Sequence, residues 1–144
     1  MRQDLIASQT ITINNTLANV WEGLTNPEII KDYLYGTNAI TDWQRGSAIL
    51  FKGEYNGTVY CDKGEVKENK HFETISYTYW SGFSGVADLP ENYSVVTYNL
   101  HPISETETAL TWTIQGFATE EGYQHSKTGM GEFLKTVKVV MDKI

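Results

Sequence analysis

The segment EEGYQHSKTGMGEFLKTVKVVMDKI, Glu120 to Ile144, decides the fold. Its apolar residues Met130, Phe133, Leu134, Val137, Val140, Met141 and Ile144 recur every three or four positions, which draws one stripe along an α-helix. Lys127, Glu132, Lys135, Lys138, Asp142 and Lys143 fall on the opposite side, which therefore faces water. The cations gather towards the C-terminus, where the helix dipole favours them. A helix of about 24 residues is roughly 36 Å long. One stripe of that length needs a broad apolar partner, and the upstream chain is written almost entirely in strand-like patterns. The partner expected is a curved antiparallel sheet.

Upstream, Asp4 to Ile13 alternates loosely through Leu5, Ala7, Ile11 and Ile13 and reads as a first strand. Asn15 or Thr16 supplies a helix cap for Leu17, Val20, Trp21 and Leu24. Asn26-Pro27 stops that helix, and a second short one runs from Pro27 to about Tyr33, ended by Gly36. Six more strands are expected near Ala39–Trp43, Ser47–Tyr55, Thr58–Glu68, Thr74–Trp80, Tyr93–Pro102 and Thr106–Ala118. Turns fall at Arg45-Gly46, Asn56-Gly57 and Glu68-Asn69-Lys70; Asn56-Gly57 is the sharpest, because both residues tolerate the positive φ of a two-residue hairpin turn. The rows Ile75/Tyr77/Tyr79, Val96/Tyr98/Leu100 and Leu110/Trp112/Ile114 alternate with polar residues, the pattern of a sheet covered on one face. Ser81 to Asn92 is the one long loop and is placed to lie over a pocket mouth. The reading is a single α+β domain over residues 1–144.

Composition narrows the function. The net charge of −7 excludes duplex nucleic acid and anionic membrane as main partners, because phosphate binding needs clustered Lys and Arg. No apolar run reaches a membrane span or forms a signal peptide, so a cytoplasmic location is expected. Cys61, the one cysteine, excludes an internal disulfide and reads as a buried, inert thiol. His71, His101 and His125 sit on separate elements with no metal-ligand spacing and read as surface or turn residues; no metal and no cofactor is expected. Gly82-Phe83-Ser84-Gly85-Val86 lacks both the last glycine and the strand-to-helix context of a nucleophile elbow. Asp32, Asp42, Glu54, Asp62, Glu65 and Asp88 offer carboxylates, among which spacing selects no pair.

What stands out is the aromatic content: nine Tyr, four Trp and five Phe. Tyr33, Trp43, Tyr77, Tyr79, Trp112, Phe117 and Met130 are the candidate ligand-binding residues, able to line one apolar cavity with a few hydroxyls for orientation. The plainer role for the same set is to fill the core, and ligand contact is the sharper alternative. No catalytic residue is singled out.

Several stretches resemble one family. Val20-Trp21-Glu22-Gly23-Leu24-Thr25-Asn26-Pro27-Glu28 resembles the Val-Trp-x-x-Leu-Thr-x-Pro-Glu signature of a START-like group. Asp42-Trp43-Gln44-Arg45-Gly46-Ser47, Gly64-Glu65-Val66, Ile75 to Trp80 and Thr111 to Phe117 resemble its later signatures in the same order. The group is homologous to the C-terminal domain of the activator of the ninety-kilodalton heat-shock protein ATPase, within the polyketide-cyclase and lipid-transport superfamily. The chain departs from it at Gly131-Glu132-Phe133, where many relatives have Gly-Trp; the aromatic comes one position later. The resemblance implies a helix-grip fold, a seven-stranded sheet gripping the last helix around an apolar cavity. It leaves three functions open: non-enzymatic binding of a hydrophobic small molecule, a cochaperone-like protein-interaction module, and a cyclase- or hydrolase-like enzyme using the same cavity.

The charge argument is directly testable. At physiological salt, polarisation assays with generic DNA and RNA duplexes should detect no binding, and micromolar binding there would overturn this reading of the surface.

Overall fold

A computed structural model describes every residue from Met1 to Ile144. The chain forms β1 (Arg2–Ile13), α1 (Leu17–Thr25), α2 (Pro27–Tyr33), β2 (Asn38–Ile40), β3 (Ala48–Tyr55), β4 (Thr58–Lys70), β5 (Thr74–Tyr79), β6 (Ser94–Ser104), β7 (Glu107–Phe117) and α3 (Glu120–Met141). A single 3-10 turn, Pro90–Asn92, precedes β6. The seven strands pair antiparallel throughout, in the order β1-β7-β6-β5-β4-β3-β2. First and last strands are therefore neighbours, and both short helices lie between β1 and the edge strand β2. This is the expected helix-grip architecture.

Local chemistry sets the element ends. Thr16 caps α1, its hydroxyl accepting from the Asn19 N–H at 3.1 Å. Asn26 both closes α1 and caps α2, accepting from the Glu28 N–H at 2.9 Å, while Pro27 occupies the first turn where no N–H is needed. Asn56 and Gly57 take φ of 49° and 79°, the two positive values that a tight hairpin needs. Thr119 opens α3 by accepting from the Gly122 N–H at 3.0 Å.

The core lies between the sheet and α3. Met130, Leu134, Val137 and Met141 are the buried residues of α3, spaced four, three and four apart. Their stripe packs chiefly on β1, and polar ties hold the C-terminal end of the helix there. Lys138 Nζ donates to the Thr12 carbonyl at 2.8 Å, the Asn14 N–H donates to Asp142 at 2.8 Å, and Asn15 Nδ2 donates to the Met141 carbonyl at 2.8 Å. The outer sheet face is a hydroxyl lattice: Ser8 meets Thr113 at 2.9 Å, Thr10 meets Thr111 at 2.8 Å and Ser76 meets Thr97 at 3.1 Å. No helix is long and apolar enough to cross a membrane.

The structure corrects several expectations. The strand expected over Ala39–Trp43 is only Asn38–Ile40, because the chain turns at Trp43, which takes a φ of 62°. Glu68, Asn69 and Lys70 extend β4 instead of turning, and the reversal falls at His71–Glu73 with Phe72 at a φ of 65°. Cys61 is exposed, not buried, because the register turns its neighbour Asp62 inward. The last helix ends at Met141, and Ile144 is 39 % exposed. Phe133 is only half-buried, so the stripe is narrower than its apolar spelling. Ser76, on the polar side of its row, is nonetheless buried, where it meets Thr97.

The loop Ser81–Asn92 is tethered at its middle. Asp88 pairs with Lys63 and accepts from the Tyr93 hydroxyl, and Asn92 Nδ2 donates to the Ala87 carbonyl at 2.9 Å. The Lys63 ammonium, then the Tyr93 hydroxyl, hold the Asp88 carboxyl below its ordinary range. A depressed carboxyl stabilises above its unfolded pKa and loses that contribution as pH falls through the folded one.

Two outcomes check this description. Leu134→Ala should cost about 2–5 kcal/mol in denaturant unfolding, since Leu134 is fully buried in the stripe that joins helix to sheet. Hydrogen-exchange protection of the amides of Phe83–Ala87, taken relative to the unstructured rate at the same pH, should fall as pH drops through the Asp88 titration, and Asp88→Asn should show the low protection already at neutral pH.

Candidate functional site

Because α3 leans over β1, the sheet beyond it lies less covered, and a cavity of about 1210 Å³ opens between the helix and the inner faces of β3 to β7. Its wall is mostly apolar. Exposed aromatics stand at its mouth: Tyr35 after α2, Tyr55 at the β3–β4 turn and Phe83 from the long loop. Ser81, Ser84, Val86 and Asn92 of that loop also border it, which puts the loop at the mouth as expected. His125 of α3 lies on the rim and is exposed, as are His71 and His101.

Of the seven candidate residues, Tyr77, Tyr79, Trp112 and Phe117 line this cavity. Two groups of rings build much of the wall. Phe51 lies 5.5 Å from Tyr77 and 5.7 Å from Tyr79, Tyr98 stacks on Trp112 at 6.3 Å, and Trp112 lies 4.6 Å from Phe133 of α3. The other three sit in packed structure off the wall. Tyr33 is 3 % exposed and donates its hydroxyl to the Gly23 carbonyl at 2.9 Å, pinning α2 to α1. Trp43 donates its indole N–H to the Thr25 carbonyl at 2.8 Å. Met130 packs with Ala7 and Phe117 beneath α3. In the first two, the polar tip that suggested ligand contact is consumed by a backbone carbonyl.

The residue that sequence reasoning left among the unselected carboxylates is Asp62. It lies on the cavity wall, 7 % exposed, and one of its oxygens accepts from the Tyr79 hydroxyl. A signal for it existed. A two-residue turn at Asn56-Gly57 sets Tyr55 opposite Thr58, and counting back along both strands sets Phe51 opposite Asp62. Opposed residues share a face, so an inward Phe51 requires an inward Asp62 and an outward Cys61. Gly64, two residues on, is also dictated by closeness: a Cβ there would stand 1.6 Å from the Thr78 carbonyl oxygen.

Burial, and after it the hydrogen bond to Asp62, push the Tyr79 phenol far above its ordinary pKa. Burial does the same to Tyr77 and Tyr98. These phenols hold their protons at every physiological pH and act as neutral hydrogen-bonding groups. No group of three or more His, Cys, Asp or Glu side chains is placed to hold a metal ion. The arrangement suits orientation of an apolar molecule by a few fixed polar atoms.

Comparison with known proteins agrees with this architecture. A solution structure from Cytophaga hutchinsonii is similar over 99 % of this chain and 97 % of its own, at 36 % identity and a TM-score of 0.83. An HSP90 activator from Plasmodium falciparum shares the fold at 17 % identity, with a TM-score of 0.73 and 95 % and 96 % of the two chains covered. The Aha1 dimer from Colwellia psychrerythraea shares it at 16 % identity, with a TM-score of 0.71 over 95 % and 96 %. No curated protein matches the chain. The family model described as activator of Hsp90 ATPase homolog 1-like protein matches residues 14–142. On that match, the chain belongs to the activator of Hsp90 ATPase homolog 1-like family.

Proposed function

We propose that this protein binds a hydrophobic small molecule, without covalent chemistry, in the cavity between α3 and the inner faces of β3 to β7. The observation that carries this reading is the cavity itself, about 1210 Å³ and walled by Tyr77, Tyr79, Trp112 and Phe117 among other largely apolar residues. Ligand pockets of drug-sized molecules run to roughly 300–1,000 Å³, with apolar walls and few polar groups. The aromatic rings line the space and do not fill it. Binding is favoured over catalysis because the inward carboxylate, Asp62, is engaged with a phenol that keeps its proton. The cytoplasm is the proposed location, since its reducing conditions suit the exposed thiol of Cys61.

A second reading is a cochaperone-like interaction, and the observation that favours it is the group of exposed apolar side chains at the mouth. Tyr35, Tyr55 and Phe83 are 80 %, 65 % and 61 % exposed and border the cavity. The HSP90-activator name of the Plasmodium falciparum relative points the same way. The outer sheet face, by contrast, is lined with hydroxyls and offers a partner little apolar surface.

The neutral apolar fluorophore N-phenyl-1-naphthylamine should bind the protein saturably, near one to one, and raise its melting temperature. A ligand at one hundred times its Kd adds about 2.7 kcal/mol to the folded state. Ile114→Trp puts an indole into the cavity and should weaken the probe about tenfold or more while the protein stays folded. Absence of saturable binding to the wild type, together with stimulation of a purified Hsp90 ATPase, would replace this reading with the second.

A further inference from the structure

The phenols around the cavity divide by how their hydroxyls are spent. Tyr33 donates to the Gly23 carbonyl, Tyr60 meets Thr37, Tyr79 donates to Asp62 and Tyr93 to Asp88. Tyr77 and Tyr98 differ. Both line the cavity, and no backbone carbonyl or carboxylate of the protein takes their protons. The side-chain atoms that are unpartnered and also sealed off are Asp62 Oδ1 and Trp112 Nε1, and neither phenol oxygen is among them. The Tyr77 and Tyr98 hydroxyls therefore open to the cavity, where an entering molecule reaches them.

Strand pairing brings these two hydroxyls together. Tyr77 pairs with Val96 across β5 and β6, and Tyr98 lies two residues further along β6, opposite Ile75. Diagonal neighbours of this kind share a face and stand about 7–8 Å apart, within reach of aromatic side chains. Burial raises the pKa of both phenols, and after burial each is the first influence on the other, so their oxygens stand close. Packing fixes both directions: the Tyr77 ring lies 5.5 Å from Phe51, and the Tyr98 ring stacks on Trp112 at 6.3 Å. Proton accounting then leaves a surplus. Each hydroxyl carries one proton, and burial keeps it there. At most one of these protons can go to the other phenol, so at least one donor has no acceptor within the protein.

We infer that the molecule held in this cavity, on the binding reading given above, is an uncharged carbonyl compound, a ketone, ester or amide on an apolar body, whose carbonyl oxygen accepts from the Tyr77 and Tyr98 hydroxyls. A carbonyl oxygen offers two lone pairs and no proton, so it answers both hydroxyls and makes no further demand. An ammonium head brings donors alone and leaves the phenol protons unmet. A carboxylate head would accept them, but no lysine or arginine side chain lines the cavity, and Asp62 already puts a carboxylate in its wall. The burial that raises the Tyr77 and Tyr98 pKa values penalises any other anion placed beside them.

Three matched naphthalenes test this: 6-propionyl-2-(dimethylamino)naphthalene, which carries a ketone; its 6-propyl analogue, in which a methylene replaces the carbonyl; and 6-(dimethylamino)-2-naphthoate, an anion at neutral pH. Fluorescence titration gives their affinities for wild type and for Tyr77→Phe/Tyr98→Phe, which keeps both rings and removes both hydroxyls. Water solvates the ketone better than the alkyl chain, so the readout is the ketone-to-alkyl affinity ratio, in which that difference cancels between the two proteins. The ratio should fall about tenfold or more in the double variant, the scale of one or two hydrogen bonds, while the alkyl probe binds at least as well as before. In wild type the infrared carbonyl stretch of the bound ketone should lie below its value in hexane, and in the variant it should return towards that value. Naphthoate should bind wild type about tenfold or more weakly than the ketone. An unchanged ratio with intact alkyl binding would overturn the carbonyl assignment and leave the cavity as a binding site. Naphthoate binding as tight as that of the ketone would overturn the uncharged class. Failure of all three probes to bind wild type would remove the binding reading and this inference with it. Should the double variant not fold, the carbonyl stretch in wild type decides alone.

Discussion

Everything in this molecule depends on the seam where the stripe Met130, Leu134, Val137 and Met141 meets the sheet. The hydrophobic effect drives it, but direction comes from polar ties at one end: Lys138 to the Thr12 carbonyl, Asp142 to the Asn14 N–H, and Asn15 to the Met141 carbonyl. These ties anchor the helix over β1. A helix anchored over the first strand of a curved seven-stranded sheet leaves the far strands partly uncovered. The cavity is thus a geometric result of where the helix is fastened, and its walls inherit whatever faces inward on β3 to β7.

What faces inward there includes an anomaly for an apolar interior. An unsatisfied buried polar group costs about 1–3 kcal/mol, more when charged, against a total stability of only about 5–15 kcal/mol for a domain. Asp62 Oδ1 and Trp112 Nε1 are the two buried side-chain atoms that no other group of the protein meets. By comparison, Tyr33 and Trp43 meet backbone carbonyls and contribute to the packing of α1, α2 and the turn after β2. Polar tips that look alike in the sequence thus divide by whether the surrounding backbone offers a partner.

The fold was legible in the sequence wherever periodicity and turn chemistry agree. The stripe of α3, a helix cap at Asn15 or Thr16, the stop at Asn26-Pro27, the Asn56-Gly57 hairpin and the alternating rows of β5, β6 and β7 each follow from local rules. The site was legible only in part. Alternation placed Tyr77, Tyr79 and Trp112 on the inner face, but no local rule says that Tyr33 donates to Gly23, ten residues away in sequence. Cys61 and Asp62 form the sharpest case. Side-chain polarity argues for the thiol inside, and the hairpin register puts the carboxylate there. Register prevailed because inverting it would turn Phe51 and Ile49 out to water.

The pairing of β1 with β7 has a consequence for the birth of the chain. Ile13 finds its neighbour Thr108, and Ala7 its neighbour Ile114, only after nearly the whole protein has been made. At roughly 5–20 residues per second, ribosomal synthesis leaves β1 without its partner for on the order of 5–20 s. The hairpins of β3 to β6 close locally in that interval, whereas the strand under α3 must wait. Loop-closure entropy makes such late, distant pairing slow. The step that completes the sheet thus also brings in the platform on which α3 is fastened, so the cavity takes shape last and all at once.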